Sequence, residues 1–360
     1  MMPPLHSDGL FDLQVNGYAG VDFNDAALTA AQLDRALEAM LADGVTGCLP
    51  TLITATPGDL AARFAALDGA VQNSRLGPVM VPGYHLEGPF LNAAPGYCGC
   101  HPAQVMTDPD IALVAQLEQT LSRPILLITI APERTNAMAA VRHWVAKGKV
   151  VAMGHSAADF ACLAEAATAG LSLSTHLGNG LPQTLPKLNN TLLAQLAETR
   201  LTACLIADGI HVPRDALRAL IALKGAENCV VVSDAVVAAA APPGFYRFAG
   251  MQVERLPDGR VMNPSGEGLA GSALQLDQGV RNLVDWSIAP PERALAMAGT
   301  AARAAIAPAL RAHHITMTPG QIAWDDAMQP TLAHMPQITP PWIGPCGSAS
   351  SAAAPMARRY

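Results

Sequence analysis

Eight short apolar runs, each separated from the next by a helical pattern or a long loop, constrain the fold of this 360-residue chain more than any other feature. Uninterrupted apolar runs of this length are typical of parallel strands that are buried on both faces. The predicted strands are 11–17, 44–54, 79–90, 124–131, 149–156, 171–176, 202–208 and 229–234. Their alternation with helices predicts an α/β protein built as a (β/α)₈ TIM-type barrel. A doubly wound open sheet is the main alternative, which is disfavoured because neither G-x-G-x-x-G nor a P-loop follows the first strand.

Two of the connecting segments carry clear signals for the start of a helix. Thr29-Ala-Ala-Gln32 is a capping box followed by apolar residues at helical spacing. Asp108-Pro109 is predicted to begin the helix that follows the third strand.

Composition and charge limit the partners of the chain. It is 51% hydrophobic and 14% charged, which is enough apolar material for a large core. The formal net charge is −7, and the 22 Lys and Arg residues form no runs, so neither nucleic acid nor an anionic membrane surface is an expected partner. Seven cysteines at irregular positions and the absence of a signal-peptide pattern near the first residue indicate reduced thiols in a cytoplasmic protein.

Two regions fall outside the barrel pattern. Residues 244–262 alternate apolar and polar residues around Pro257-Asp258-Gly259, which predicts an inserted β-hairpin. Residues 328–360 are rich in Pro, Ser and Ala and are predicted to form a poorly packed tail. The predicted organisation is a barrel domain over 9–325, containing the hairpin, and a tail over 328–360.

Polar side chains stand at the ends of the predicted strands. They are Gln14, Asn16, Glu87, His155, His176, Asp208 and Asp234. Barrels of this type build their active sites at the carboxyl-terminal ends of the strands. Glu87, His155 and His176 are the kind of three-ligand set with which catalytic zinc holds a water molecule, and a carboxylate such as Asp234 can move that water's proton. A lone histidine at a strand end is more often a structural, hydrogen-bonded residue; four such residues at successive strand ends are harder to explain in that way, and at this point both a metal site and a structural role stay open.

Six motifs occur along the chain in a characteristic order. They are His85-Leu-Glu-Gly-Pro-Phe90, Gly154-His-Ser156, Thr175-His-Leu-Gly-Asn-Gly180, Ile206-Ala-Asp-Gly-Ile-His-Val212, Ser233-Asp-Ala235 and Leu269-Ala-Gly-Ser-Ala273. This series resembles the signatures of the N-acetylglucosamine-6-phosphate deacetylases, a branch of the amidohydrolase superfamily, from about residue 11 to about residue 325. The resemblance implies a (β/α)₈ barrel that hydrolyses the acetamide of an amino-sugar phosphate, most simply N-acetylglucosamine 6-phosphate, to acetate and the free amine.

The resemblance also implies a role for each matching residue. It makes Glu87, His155 and His176 the metal ligands, Asp234 the general base and then acid, and His101 the group that polarises the substrate carbonyl. The implied substrate contacts are Asn179, Gly180, Lys187, His211, Leu269, Ala270, Gly271 and Ser272. Zn²⁺ is the expected cofactor, with Fe²⁺ or another divalent ion as alternatives. A single ion is expected because Gln14-Val-Asn16 replaces the His-x-His of binuclear relatives, and amides are poor transition-metal ligands.

Two departures from the family pattern bear on the function. Lys187 stands where relatives carry the arginine that holds the sugar phosphate, and lysine lacks the bidentate fork of arginine. Relatives also have a longer segment before the motif that here is Asp12-Leu-Gln14, so we expect their small β-sandwich to be reduced or missing, with Gln321–Trp324 as its remnant. A homodimer is expected from the resemblance.

Three functions are therefore open at this stage. The first is deacetylation of N-acetylglucosamine 6-phosphate. The second is hydrolysis of another amide, such as that of N-acetylgalactosamine 6-phosphate or of an N-acyl amino acid. The third is a non-catalytic barrel that binds a sugar phosphate, which the presence of Asp234 beside all three metal ligands disfavours.

Overall fold

The computed structural model describes residues 5–263 and 268–335 of the chain. The strands in these ranges are β1 (Leu5–Asp8), β2 (Leu10–Val15), β3 (Gly17–Tyr18), β4 (Val21–Asp22), β5 (Val45–Ile53), β6 (Tyr84–Glu87), β7 (Ile125–Ile130), β8 (Val150–Met153), β9 (Leu173–Ser174), β10 (Thr202–Ile206), β11 (Cys229–Val232), β12 (Gly244–Phe248), β13 (Met251–Arg255), β14 (Val261–Met262), β15 (Gln321–Trp324) and β16 (Pro330–His334). The α-helices are α1 (Ala30–Ala42), α2 (Pro57–Asn73), α3 (Gly77–Met80), α4 (Ile111–Glu118), α5 (Ala137–Ala146), α6 (Phe160–Ala169), α7 (Thr191–Ala197), α8 (Arg214–Lys224), α9 (Leu276–Asp285), α10 (Pro291–Ala298) and α11 (Thr300–Ala312).

The main sheet is the predicted barrel. Its eight strands follow the chain in the spatial order β2, β5, β6, β7, β8, β9, β10 and β11, and each strand is parallel to its neighbours in that order. The first and last strands meet just beyond their carboxyl ends, where the backbone N–H of Asp234 donates to the carbonyl of Gln14 at 3.0 Å and that of Asn16 donates to Ala235 at 2.7 Å. These bonds join the two edges of the sheet, and the (β/α)₈ prediction is confirmed.

The interior of the barrel is packed with side chains rather than hollow. Alternate residues of the strands share one apolar cluster, as the two-residue period of a strand requires; it includes Phe11, Leu13, Val150, Ala152, Cys204, Ile206, Val230 and Val232. The apolar face of α11, formed by Ala302, Ile306 and Ala309, belongs to the same cluster. A solid interior leaves the strand ends as the place where polar side chains can converge.

Local signals explain where the elements begin. The capping box is confirmed: the Thr29 side chain accepts from the Gln32 backbone N–H, and the Gln32 side chain caps Thr29 in return. The helix predicted to begin at Asp108-Pro109 instead begins at Ile111, because Asp110 caps it by accepting from the N–H groups of Ala112 and Leu113.

The third strand is shorter than predicted. Residues 77–80 form the short helix α3, and the strand covers only Tyr84–Glu87 of the predicted 79–90. Pro78 lies in the first turn of the helix, where its missing N–H is no loss. Pro82 cannot donate to a neighbouring strand, so the ladder starts only after it.

Two small antiparallel sheets accompany the barrel. Strands β12 and β13 pair across Ala249-Gly250, and β13 continues through Pro257-Asp258-Gly259 to β14. Strands β1 and β16 flank β15, which forms the middle of a three-stranded sheet and matches the reduced small β-domain expected from the sequence. Residues 330–334 of the predicted tail thus form a paired strand, whereas 336–360 lie outside the described residues. In the described ranges, no helix is long and apolar enough to cross a membrane.

Candidate metal centre and active site

A cavity of about 420 Å³ lies at the carboxyl-terminal ends of the barrel strands. Ten of the thirteen site residues predicted from the sequence line it. These are Glu87, His101, His155, His176, Asn179, Gly180, His211, Asp234, Leu269 and Gly271. The chain therefore brings together, from separate strands and loops, most of the residues that the motifs singled out.

Glu87, the last residue of β6, faces imidazole rings. Its Oε1 lies 3.0 Å from Nε2 of His176 and 3.5 Å from Nε2 of His155. Single ligand atoms of these three residues all lie within 4.8 Å of one another, close enough for one ion to contact all of them. A carboxylate and two imidazoles with a position left open form a donor set typical of catalytic zinc. The residues present fit one divalent metal ion.

The electrostatics of the cluster follow from burial. Burial alone would raise the pKa of Glu87, but hydrogen bonds from His155 and His176 outweigh it and hold the pKa well below the ordinary value. Burial would likewise lower the pKa of His176, and the hydrogen bond and charge of Glu87 reverse that shift. Buried Glu87 is thus stabilised mainly by hydrogen bonds from imidazole N–H groups, whose protons a bound metal ion can replace.

Three of the candidate site residues adopt an unusual backbone conformation. His155, His176 and Asp234 have positive φ angles of 51°, 28° and 47°. Each lies two residues beyond the end of its strand, where the chain turns out of the barrel. A non-glycine residue in the left-handed region costs about 1–3 kcal/mol and persists only where surrounding contacts enforce it. The turn directs each side chain over the barrel mouth.

The imidazole of His155 is held from behind by a loop. Its Nδ1 lies 2.6 Å from the carbonyl oxygen of Tyr97, which can only accept, so Nδ1 carries a proton and donates, and Nε2 is the nitrogen that faces Glu87. Gly180 lies against the same ring, because a Cβ at that position would lie 2.6 Å from Nδ1 of His155. In contrast, Nδ1 of buried His176 has no hydrogen-bond partner among the described residues.

Asp234 is bound by two amides from the first barrel strand. Nε2 of Gln14 and Nδ2 of Asn16 each donate to its Oδ1 at 2.9 Å. Nε2 of Gln14 also donates to Oε2 of Glu87 at 3.0 Å, so one amide bridges the two carboxylates. Burial, followed by the charge of Glu87, raises the pKa of Asp234 to about 6. Gln14 and Asn16 therefore serve as hydrogen-bond donors to the carboxylates of the site.

His101 lies on the other side of Glu87. Its Nε2 is 3.8 Å from Oε2 of Glu87, and its Nδ1 is 2.8 Å from Oγ1 of Thr54. Burial and the neighbouring His155 lower the pKa of His101 to about 3, so the ring is neutral. Because its Nδ1 is hydrogen-bonded to the Thr54 hydroxyl, the neutral ring can direct Nε2 into the cavity.

The remaining wall of the cavity comes from loops. His211 lies in a turn stabilised by Asp208, whose Oδ2 is 2.6 Å from Nδ1 of His211 and whose Oδ1 accepts from the His211 backbone N–H. Asn179 donates from Nδ2 to the carbonyl of His176 at 3.0 Å. These contacts connect the loop residues to the strand ends that carry the metal cluster.

Three predicted substrate contacts lie outside the cavity lining. Ala270 and Ser272 are buried behind it, and the backbone of Ser272 pairs with Ala235 beside the eighth barrel strand. Lys187 is exposed on the segment between β9 and α7. The described residues that line the cavity include no lysine or arginine.

Several lining residues were not singled out from the sequence. Phe248 comes from the inserted sheet, and Gln183 and Ile210 come from loops. No periodic pattern marks such positions. Thr54, which contacts His101, does follow the second barrel strand directly, so the rule that found the other strand-end residues applies to it as well.

The chain is similar in sequence to sugar-phosphate deacetylases. It is 34% identical to the N-acetylgalactosamine-6-phosphate deacetylase of Escherichia coli O157:H7 over 289 residues, which are 80% of this chain and 74% of the relative. It is 30% identical to the N-acetylglucosamine-6-phosphate deacetylase of Bacillus subtilis, with 78% of this chain and 69% of the relative covered. No protein-family model matches the chain.

Solved structures show the same likeness. The N-acetylglucosamine-6-phosphate deacetylase of Pasteurella multocida superposes with a TM-score of 0.79 at 25% identity, covering 91% of this chain and 84% of that one. The enzyme of Mycobacterium smegmatis, solved as a mutant in complex with N-acetyl-D-glucosamine-6-phosphate, gives a TM-score of 0.77 at 26% identity, with the same coverage.

Proposed function

Because the chain belongs to the N-acetylglucosamine-6-phosphate deacetylase family of the amidohydrolase superfamily, we propose that it hydrolyses the acetamide of N-acetylglucosamine 6-phosphate. The products are glucosamine 6-phosphate and acetate. The observation that carries the proposal is the buried cluster of Glu87, His155 and His176 with Asp234 beside it at the barrel mouth. The fold and the relatives supply the reaction class, and the cluster supplies the groups that the reaction needs.

Glu87, His155 and His176 are the proposed ligands of one Zn²⁺ ion. When bound, such an ion acidifies a water molecule and polarises an amide carbonyl. The Tyr97 carbonyl keeps the proton of His155 on Nδ1, so Nε2 is the ligand atom of that ring. Gln14 donates a hydrogen bond to Oε2 of Glu87, so Oε1 is the oxygen that faces the two histidines.

Asp234 is the proposed proton carrier. Its Oδ1 already accepts from Gln14 and Asn16, so Oδ2 is the oxygen available to take the proton of the attacking water. The water oxygen adds to the acetamide carbon, and the C–N bond then breaks as Oδ2 returns the proton to the leaving nitrogen. The oxygen of the water ends in acetate and the proton ends on the amine.

His101 is the proposed donor to the oxygen of the substrate carbonyl. If the Thr54 hydroxyl donates to Nδ1, the neutral ring carries its proton on Nε2, the nitrogen nearer Glu87. A neutral donor stabilises the negative charge that develops on the carbonyl oxygen without adding a proton to it. Asn179, Gly180, His211, Leu269 and Gly271 surround the remaining space, which the sugar would occupy.

The phosphate group has no cationic partner in the described cavity wall. Lys187 is the proposed partner, because it is an exposed cation on the segment that follows Asn179 and Gly180, which line the cavity. N-acetylgalactosamine 6-phosphate is the second candidate substrate, and the specific support for it is the 34% identity to an enzyme named for that sugar.

The assembly, boundaries and location of the protein are also proposals. We take 9–325 as the catalytic unit with residues 244–262 inserted in it, and the segment from 328 to 360 as a tail whose first part is tied down by β16. The family supports a homodimer. The cysteines of the described ranges are free, which supports a cytoplasmic location.

Acetate release tests the proposed function. The zinc-loaded protein should release acetate from N-acetylglucosamine 6-phosphate, and the Asp234→Asn variant, with the same zinc content, should lose the activity. A panel that includes the galacto epimer and both unphosphorylated sugars would identify the substrate. Absence of metal-dependent release from every N-acetyl sugar in the panel would refute the enzyme assignment.

A further inference from the structure

Asp12 is a buried carboxylate beneath the active site that the proposed reaction does not use. It lies on the first barrel strand two residues before Gln14, is 1% exposed, and does not line the cavity. The groups that hydrogen-bond to its carboxylate are all neutral: the Ser233 hydroxyl, the Ser233 backbone N–H at 3.2 Å and the Gln14 backbone N–H at 3.3 Å. Burying a carboxylate among neutral groups is costly, so its presence calls for a specific contribution.

The contacts of Asp12 surround Asp234. On one side of Asp234, both the hydroxyl and the backbone N–H of Ser233 donate to Asp12. On the other side, the backbone N–H of Ala235 donates to the same Ser233 hydroxyl at 3.0 Å. The hydroxyl therefore links Ala235 to Asp12, and the residues before and after Asp234 are both tied to one carboxylate.

This arrangement constrains a strained turn. Asp234 has a φ angle of 47°, a conformation that aspartate adopts only when its surroundings enforce it. The side-chain amides of Gln14 and Asn16 hold the carboxylate end of the side chain, and their backbones hold the N–H of Asp234 and the carbonyl of Ala235. The contacts of Asp12 add a further restraint, because they hold Ser233 directly and Ala235 through the Ser233 hydroxyl.

Barrel closure does not account for the Asp12 side chain. The first and last strands are joined here by backbone bonds, from the N–H of Asp234 to Gln14 and from the N–H of Asn16 to Ala235. Those bonds do not involve the carboxylate of Asp12. The carboxylate instead fixes the position of Ser233 relative to Asp234, the proposed general base.

We propose that Asp12, acting through Ser233, is a positioning residue that holds the backbone of Asp234 in the turn from which its carboxylate reaches the reacting water. The inference rests on the proposed function, since it takes Asp234 as the general base. Asp12 touches neither substrate nor metal ligand, so its effect should fall on the rate of the chemical step and not on binding.

Two conservative substitutions test the proposal. Asp12→Asn keeps the shape of the side chain, but its amide nitrogen cannot accept from the Ser233 hydroxyl. Ser233→Ala removes only the hydroxyl. Each should lower kcat by about 10- to 100-fold, with KM within about twofold of wild type, because a small misplacement of a catalytic group slows the reaction without changing ground-state binding. Zinc content should equal that of wild type in both.

A double variant and a matched control sharpen the test. If Asp12 acts through Ser233, the double variant should be no slower than the slower single variant, because residues in one network are not additive. Ser174→Ala is the control: Ser174 is also fully buried in a barrel strand, and its hydroxyl has no hydrogen-bond partner among the described residues. Its kcat should match wild type.

The outcomes separate the inference from the function on which it rests. If Asp234→Asn keeps its activity, the proposed function fails. If Asp234→Asn is inactive while Asp12→Asn keeps kcat within about threefold of wild type, the positioning role alone is refuted. Loss of zinc in step with loss of activity, or fully additive effects in the double variant, would also refute it. Should Asp12→Asn not fold, Ser233→Ala decides by the same criteria.

Discussion

The two sides of the cavity are built differently. On the metal side, Glu87, His155, His176 and Asp234 lie at or just beyond strand ends, and the first three are buried. On the opposite side, the segment from 178 to 190 has no regular structure and is half-buried to exposed throughout. The metal side is positioned by the barrel itself before any ligand arrives. The opposite side has few contacts of its own, so its geometry depends more on the substrate.

Glu87→Gln should have the largest effect, because it removes the only carboxylate of the proposed ligand set. The neutral amide leaves two imidazoles without a negative partner and binds a transition metal poorly. We expect zinc affinity and kcat to fall by more than about 100-fold, since changes in residues that merely support a ligand reach that size. Metal analysis after dialysis measures the first effect and acetate release the second.

Glu118→Gln is the control for this substitution. Glu118 forms an ion pair with Lys149 at the start of β8, on the far end of the barrel from the metal cluster. It should retain zinc and activity. A Glu87→Gln enzyme that keeps its full zinc content would break the comparison, since the metal side would then not depend on its central carboxylate.

Gly180→Ala should have the next largest effect, because Gly180 is where the loop side touches the metal side. Its φ angle is 62°, and the added Cβ would lie 2.6 Å from Nδ1 of His155. The ring would have to leave the Tyr97 carbonyl that fixes its proton. Zinc affinity should fall by about 10- to 100-fold, as for other lost supports of a metal ligand.

Gly20→Ala controls for backbone strain in this comparison. Gly20 also has a positive φ, of 78°, but a Cβ there would meet nothing within 4 Å. Both variants bear a similar backbone cost, and only Gly180→Ala displaces the imidazole of His155, a proposed ligand. Equal zinc affinity in the two variants would show that the loop does not support His155.

The difference between the two sides also explains how much could be predicted from the sequence. Glu87, His155, His176 and Asp234 were predictable because the carboxyl ends of parallel strands meet at one face of a barrel. The positive φ of three of them and the Tyr97 contact were not, because they depend on how distant loops return. Lys187 illustrates the same limit: its motif position was clear, but an irregular loop does not determine where its side chain lies.

The length predicted for the third strand was wrong for a related reason. An apolar run alone cannot distinguish a strand from a short buried helix, and residues 77–80 form the helix α3. The proposed site was unaffected, because Gly88-Pro89 cannot extend a strand and so places Glu87 near the carboxyl end wherever the strand begins. Predictions tied to strand ends therefore survived an error about where the strand begins.

Thr54→Val should have a moderate effect that is confined to catalysis. The substitution removes the hydroxyl 2.8 Å from Nδ1 of His101, which in the proposed mechanism donates to that nitrogen and keeps the proton of the ring on Nε2. Loss of one such hydrogen bond should lower kcat by about 10-fold and leave zinc content unchanged. Thr54→Ser, which keeps the hydroxyl, should restore most of the rate; if it is as slow as Thr54→Val, the tautomer is not the cause.

Lys187→Ala should have the smallest effect and should depend on the substrate. Lys187 is exposed, and an ion pair in water is worth about 1 kcal/mol or less, so KM for N-acetylglucosamine 6-phosphate should rise by no more than about fivefold. Added salt should shrink the difference from wild type, and the unphosphorylated sugar should show no difference at all. Lys147→Ala, which removes an exposed lysine that follows α5, is the control. A loss of more than about 100-fold would show that the segment closes over the phosphate and buries Lys187, which would place the loop side among the preformed parts of the site.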